Sequence, residues 1–165
     1  MNKSNPSKCV SALHPATIRV LAIASGGGHW HELMQLRPAF EDCNPHFIGI
    51  DANWKSSVEP HPFNVVPDAH FDEPIRMIRT FFILLWLFCK IRPHAVVTTG
   101  AAPGGLAMLI GRMFWARTLW IDSVANCNVL SRSGRLAMRI AHETLTQHQH
   151  LERSKGPFYK GSILS

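Results

Sequence analysis

Three consecutive glycines and a histidine, Gly26-Gly27-Gly28-His29, stand between a short apolar run, Ile18 to Ala24, and a stretch with helical periodicity. That order reads strand, turn, helix. A glycine turn at a helix N-terminus leaves backbone N–H groups open to a diphosphate or a sugar, because no Cβ blocks the approach and the helix dipole favours negative charge. The first side chain past the turn, His29, is an imidazole suited to proton transfer near neutral pH. Glu32, three residues later on the same helix, is placed to orient a histidine or to bind a sugar hydroxyl; as a plain first-turn acid it would simply favour the helix dipole.

Two familiar phosphate loops are excluded. A dinucleotide fingerprint begun at Gly26 needs glycine where His31 stands, although Asp51 is placed like a ribose-binding acid, and no Gly-Lys-Ser/Thr follows the glycines. A second glycine-containing turn, Gly100-Ala101-Ala102-Pro103-Gly104-Gly105, follows the apolar run Ala95–Thr99 and offers further amides to a phosphate. Asp122-Ser123 closes a third run, Thr118–Ile121; its acid suits a sugar hydroxyl or a helix cap. His61 and His70 with Asp68 and Asp72 imitate a metal cluster, but their proline-rich setting reads as loop, and no metal is assigned. His31 faces solvent on this reading, and His148 and His150 lack a matching partner.

These groups need elements to hold them. Short apolar runs alternate with helical patterns, the signature of an α/β fold: a Rossmann-like open parallel sheet with helices on both faces. Strands are expected at Ile18–Ala24, Phe47–Ile50, Phe63–Val66, Ala95–Thr99, Thr118–Ile121 and Thr144–Gln147. Leu33, Leu36 and Phe40, with Trp30 and Met34, mark a helix that runs until Asp42-Cys43-Asn44-Pro45; others are expected over 75–91, to about Met113, and from a Ser131 cap to about Ala141. Open α/β sheets gather ligands at the carboxyl ends of their strands, so both glycine turns and Asp122-Ser123 should share one rim.

At 165 residues and 46% hydrophobic content the chain suits one domain, residues 17–165, behind a loose polar tail, residues 1–16, and is too short for a two-domain enzyme. Scattered Cys9, Cys43, Cys89 and Cys127 exclude a secreted disulfide framework and a zinc ribbon. A net charge of +6 favours an acidic partner, but the cations are spread from Arg19 to Lys160 and no RNA-binding signature accompanies them, so nucleic acid is not expected. The run Phe81 to Cys89 is apolar on every side and, at nine residues, far below the roughly 20 needed to cross a bilayer. It is either buried or monotopic. In the second case Phe81, Phe82, Leu85, Trp86 and Phe88 enter lipid while Arg76, Arg79 and Lys90 meet headgroups.

Several stretches together resemble one family, the acceptor-side, membrane-associating subunits of two-part UDP-sugar glycosyltransferases, which include the anchoring subunit of the eukaryotic dolichol-linked N-acetylglucosamine transferase and exopolysaccharide counterparts. They are Ser25 to Leu33, Val66-Pro67-Asp68-Ala69, Thr98 to Pro103, Ile121-Asp122-Ser123, Leu130 to Arg135, and Tyr159 to Leu164. Such a chain is similar to the N-terminal half of a GT-B enzyme such as MurG. The resemblance implies a separate donor-binding catalytic subunit equivalent to the C-terminal half, and a lipid-diphosphate-linked saccharide as acceptor. It implies a place on the cytoplasmic face of the membrane, a UDP-sugar donor, no further cofactor and no obligatory metal. His29 becomes the candidate base of an inverting transfer. Asn126-Cys127-Asn128 departs from relatives that carry arginine there, which bears on specificity. A non-catalytic anchor recruiting a catalytic partner, and a free-standing nucleotide-binding module, are the alternatives.

Overall fold

The computed structural model describes residues 18–163; the expected tail, residues 1–16, and the final Leu164-Ser165 lie outside them. Seven strands form one sheet: β1 (Arg19–Ile23), β2 (Asn44–Gly49), β3 (Phe63–Val65), β4 (Ala95–Thr98), β5 (Arg117–Ile121), β6 (Glu143–Thr146) and β7 (Phe158–Tyr159). Every neighbouring pair is parallel, in the order β3-β2-β1-β4-β5-β6-β7. The strand order therefore reverses between β1 and β4, and the crevice at such a switch point is where doubly wound sheets hold ligands.

Parallel strands are buried on both faces, and β1 shows why its sequence is an unbroken apolar run. Leu21 and Ile23 pack in one layer with Leu84, Leu87, Phe88, Met108 and Trp120, whereas Val20 and Ala22 pack in the other with Trp30, Leu33, Phe40 and Phe47. Burying each such large side chain stabilises the fold by about 1.5–3 kcal/mol. Among the described residues the α-helices are α1 (Gly28–Gln35), α2 (Lys55–Val58), α3 (Pro74–Ile91), α4 (Ala101–Met113) and α5 (Arg132–Ile140). The first layer belongs to α3, α4 and α5, the second to α1 and α2.

Three expectations shift. The first helix ends at Gln35 and the chain continues as a 3₁₀ turn, Arg37–Phe40, because Pro38 supplies no N–H for an α-helical bond. Strand β2 begins three residues early despite Pro45. The Asn44 amide bonds Ile18 of the β1 side and the Phe47 amide bonds Pro62 of the β3 side, so by alternation the missing N–H of Pro45 falls on the side where β3 has not yet begun. The segment Gly100–Gly105 is not a turn: α4 starts at Ala101. Pro103 sits in its first turn, where a missing N–H is tolerated, and Gly104 lets the helix lie directly on β4, since a Cβ there would overlap the Thr98 hydroxyl.

Candidate functional site

Helix α1 opens on Gly27 as its N-cap, with φ 62° and no side-chain cap. Gly27 and Gly28 are exposed, and a Cβ at either would meet nothing within 4 Å, so this stretch of backbone faces open space. Gly26 is partly covered by the Ile50 side chain. Trp30 anchors the helix beneath, stacked on Trp54 at 4.7 Å and edge-on to Phe63 at 5.8 Å.

The turn delivers His29 to the end of β4. Its Nδ1 lies 2.9 Å from the Thr99 carbonyl, and the Thr99 hydroxyl donates back to the His29 carbonyl at 2.6 Å. A carbonyl oxygen only accepts, so the bond places the proton on Nδ1 and leaves Nε2 of the neutral ring with its lone pair. Among the described residues Nε2 has no hydrogen-bond partner. The ring lies against Gly100, whose φ of 139° suits only glycine and whose missing side chain makes the space: a Cβ would stand 2.6 Å from Cε1 of His29. Sequence reasoning had Thr99 only as the end of a strand and part of the stretch Thr98 to Pro103, with no role at the site; its bonds to His29 depend on the fold.

Glu32 is carried by α1 to the end of the next strand. It is 1% exposed, and its Oε1 accepts from the Ser123 hydroxyl at 2.7 Å and the Val124 amide at 3.0 Å, while Oε2 is buried without a partner. Ser123 also accepts from the Ala125 amide. One turn of α1, the helix that follows β1, thus reaches over the switch point and braces the carboxyl ends of β4 and β5.

Asp122 is placed differently from a ligand-binding acid. Its Oδ1 accepts from the Trp120 indole and the Ser131 hydroxyl, its Oδ2 from the Ser131 amide, and its carbonyl from Gln147. Ser131 in turn caps α5 through the Gly134 amide. Both carboxylate oxygens are therefore committed inside the protein, and Asp122 supports the loop rather than facing a ligand. Of the second glycine segment, Gly100 is buried and gives its amide to the Thr98 hydroxyl; Ala101 begins the helix and Gly104 and Gly105 lie within it, while Pro103 has no amide to offer. Ala101 and Ala102 lie too early in α4 for their amides to reach an i−4 carbonyl of the helix, and Ala102 is itself buried.

The chain shares its fold with solved structures of low sequence identity. No family model matches it, and no curated protein matches it in sequence. Among solved structures, MurG of Acinetobacter baumannii superposes with a TM-score of 0.70 at 12% identity, over 88% of this chain and 45% of that one. UDP-N-acetylglucosamine 2-epimerase of Rickettsia bellii gives 0.68 at 12%, over 89% and 45%. A glycosyltransferase of Rickettsia africae gives 0.59 at 11%, over 79% and 36%. The fold is that of a GT-B N-terminal half. The chain spans less than half the length of each of these three, and at such identities the likeness is one of architecture.

The apolar helix α3 divides by face. Phe88 is fully buried against Phe114 at 5.6 Å and so is not available to lipid, a correction to the monotopic expectation. Phe81 and Leu85 are half-buried against the same core. Phe82 and Trp86 are exposed, as are Arg76, Arg79 and Lys90; Arg76 pairs with Glu73 at 3.3 Å and Lys90 lies over the Trp86 ring at 5.2 Å. With Ile75 and Ile78 the exposed residues form an apolar stripe along α3. Beside its end, Met113 and Trp115 of the α4 terminus are also exposed, Trp115 to 94%, and Arg92 shares a cleft with Trp115. Among the described residues no helix is long and apolar enough to cross a membrane, and no group of three or more His, Cys, Asp or Glu stands ready for a metal.

Proposed function

We propose that this chain is the acceptor-side half of an inverting sugar transferase, working with a separate protein that supplies the UDP-sugar half. The observation that carries the reading is the imidazole of His29, held through Nδ1–H by the Thr99 carbonyl with Nε2 left to accept a proton, beside bare backbone at the sheet's switch point. An inverting transfer needs a base at the acceptor hydroxyl as UDP departs. Nε2 takes that proton, the open α1 terminus at Gly27 and Gly28 receives the acceptor's diphosphate, and the Ala101 amide adds to it. Glu32 and Ser123 keep the two strand ends in register and take no proton. The acceptor is a lipid-diphosphate-linked saccharide, which the protein meets at a membrane surface through Ile75, Ile78 and Phe82 in the first half of α3, the half nearer the carboxyl rim, with Arg76 and Arg79 on anionic headgroups.

Reconstitution with the partner tests the reading. His29→Ala is expected to lower turnover by about 100-fold or more while partner binding is retained, and His31→Ala is expected to leave turnover unchanged. Equal turnover of parent and His29→Ala refutes the base and favours the non-catalytic anchor, a reading that the internal commitment of Glu32, Asp122 and Ser123 supports. Flotation with anionic vesicles tests the surface: the pair Ile78→Ser and Phe82→Ser should abolish it.

A further inference from the structure

The amino-terminal rim of the sheet, the end opposite His29, carries a row of basic side chains. Strands β1, β4, β5 and β6 lie side by side and place Arg19, His94, Arg117 and His142 at their first residue or the one before it. Arg92, the C-cap of α3, and Arg112, in the last turn of α4, arrive at the same rim. A helix C-terminus accounts for those two, but Arg19 and Arg117 head strands, where no helix dipole acts. The two ion pairs among the described residues, Arg76 with Glu73 and His70 with Asp68, lie elsewhere. Asp42 ahead of β2 and Glu143 at the head of β6, the carboxylates next to the row along the sheet, form no ion pair with it.

Within the row a cleft of about 400 Å³ is lined by Arg92, Pro93, His94, Phe114 and Trp115. His94 has donors on both sides: its Nδ1 faces the Arg19 amide at 3.1 Å and its Nε2 the Arg19 guanidinium at 3.2 Å. A neutral imidazole has one lone pair for those two donors, so one N–H of the group is left for an acceptor from outside, and a carboxylate suits it. The apolar side of the cleft is equally unfinished. Trp115 stands just past the α4 C-cap with φ 59°, and the Ala116 amide bonds back to Gly111, a helix ending that glycine ordinarily fills. A tryptophan held there is strained and, being exposed, is repaid by no contact within the chain.

We propose that this rim docks an acidic, extended segment of a partner protein, with one apolar side chain seated against Phe114 and Trp115 and its carboxylates along Arg92, His94, Arg19 and Arg117. The inference goes beyond the sugar-transfer reading and does not depend on it. A peptide fits where a bilayer does not, because a flat lipid surface leaves the cleft unfilled. The row from β1 to β6 is three strand spacings long, about 14 Å, which is four or five residues of extended chain.

The probe is a fluorescein-labelled hexapeptide of aspartates and glutamates around one central phenylalanine, titrated into the full chain by anisotropy. One companion peptide has alanine for the phenylalanine, and another has asparagine and glutamine for the acids. The parent should bind the probe at least about tenfold more tightly than either companion, and less tightly as salt rises. Trp115→Gly should melt at or above the parent's temperature, since glycine suits the left-handed position, while its preference for phenylalanine over alanine falls to within about twofold. The pair Arg92→Gln and Arg117→Gln should weaken the probe at least about fivefold and leave the amide peptide unchanged. No binding of the probe by the parent, equal binding of the acidic and amide peptides, or a full phenylalanine preference in Trp115→Gly overturns the inference. Tighter binding of phosphatidylglycerol vesicles or of an oligothymidylate than of the probe, lost in Trp115→Gly, seats a membrane or a nucleic acid on the rim and overturns it too. A dimer that Trp115→Gly dissociates puts a second copy there, with the same consequence.

Discussion

Gly100→Ala separates two kinds of cost at the candidate base. Gly100 has φ 139° and ψ −167°, a region that an alanine occupies only under strain of about 1–3 kcal/mol. Its new Cβ would also stand 2.6 Å from Cε1 and 2.7 Å from Nδ1 of His29, closer than atoms pack, and overpacking of that kind costs about 1–3 kcal/mol more. The total expected is about 2–6 kcal/mol, read as a fall in the urea midpoint at constant slope. Repeating the substitution in a His29→Ala background removes the second part and keeps the first, so the cycle should return a coupling of about 1–3 kcal/mol. Nitrogen chemical shifts of the imidazole give an independent readout: the proton rests on Nδ1 in the parent and should move toward Nε2 in Gly100→Ala. If the loss is equal in both backgrounds within about 0.5 kcal/mol, the methyl does not meet the ring and the placement of His29 is wrong.

Three more outcomes are expected from the same geometry. Glu32→Ala strands the Ser123 hydroxyl and the Val124 amide and should cost about 2–4 kcal/mol in urea unfolding, with Glu32→Gln recovering at least half because its amide oxygen can still accept. Asp122→Asn sets an amide group against donors at Trp120 and Ser131 and should cost about 1–3 kcal/mol of stability; intact stability would show that the carboxylate is not needed there. Burial holds the pKa of His46 below the ordinary 6.5, although Nε2–H donates to Asn64. The unfolded chain therefore takes up its proton first as pH falls, so stability contributed by neutral His46 is full above 6.5 and declines as pH drops toward the folded value. Between about pH 8 and pH 5 the parent should lose more stability than His46→Gln; parallel curves refute it.

The alternation of apolar runs and helical patterns was enough to read a parallel sheet with helices on both faces, because buried strands such as β1 must be apolar throughout. The order of those strands was not legible, and neither was β7, whose two residues carry no pattern. Gly104 was misread as turn because a glycine needed for close helix–strand packing looks, in one dimension, like one needed for a bend. The run Phe81 to Cys89 has no polar contrast, so nothing in it distinguishes Phe88, which meets Phe114, from Phe82, which meets water. At the site His29 and its glycines were readable from their order, whereas the commitment of Asp122 to Ser131 depends on the eight intervening residues folding back upon it.

The three-residue step from His29 to Glu32 makes this chain's tolerance of changes in length uneven. Each residue added to a helix rotates every later side chain by about 100°, so one insertion between the two would swing the carboxylate away from Ser123 while the imidazole stayed on Thr99. This one turn of helix is a gauge block between two strand ends, and its length is specified as tightly as its residues.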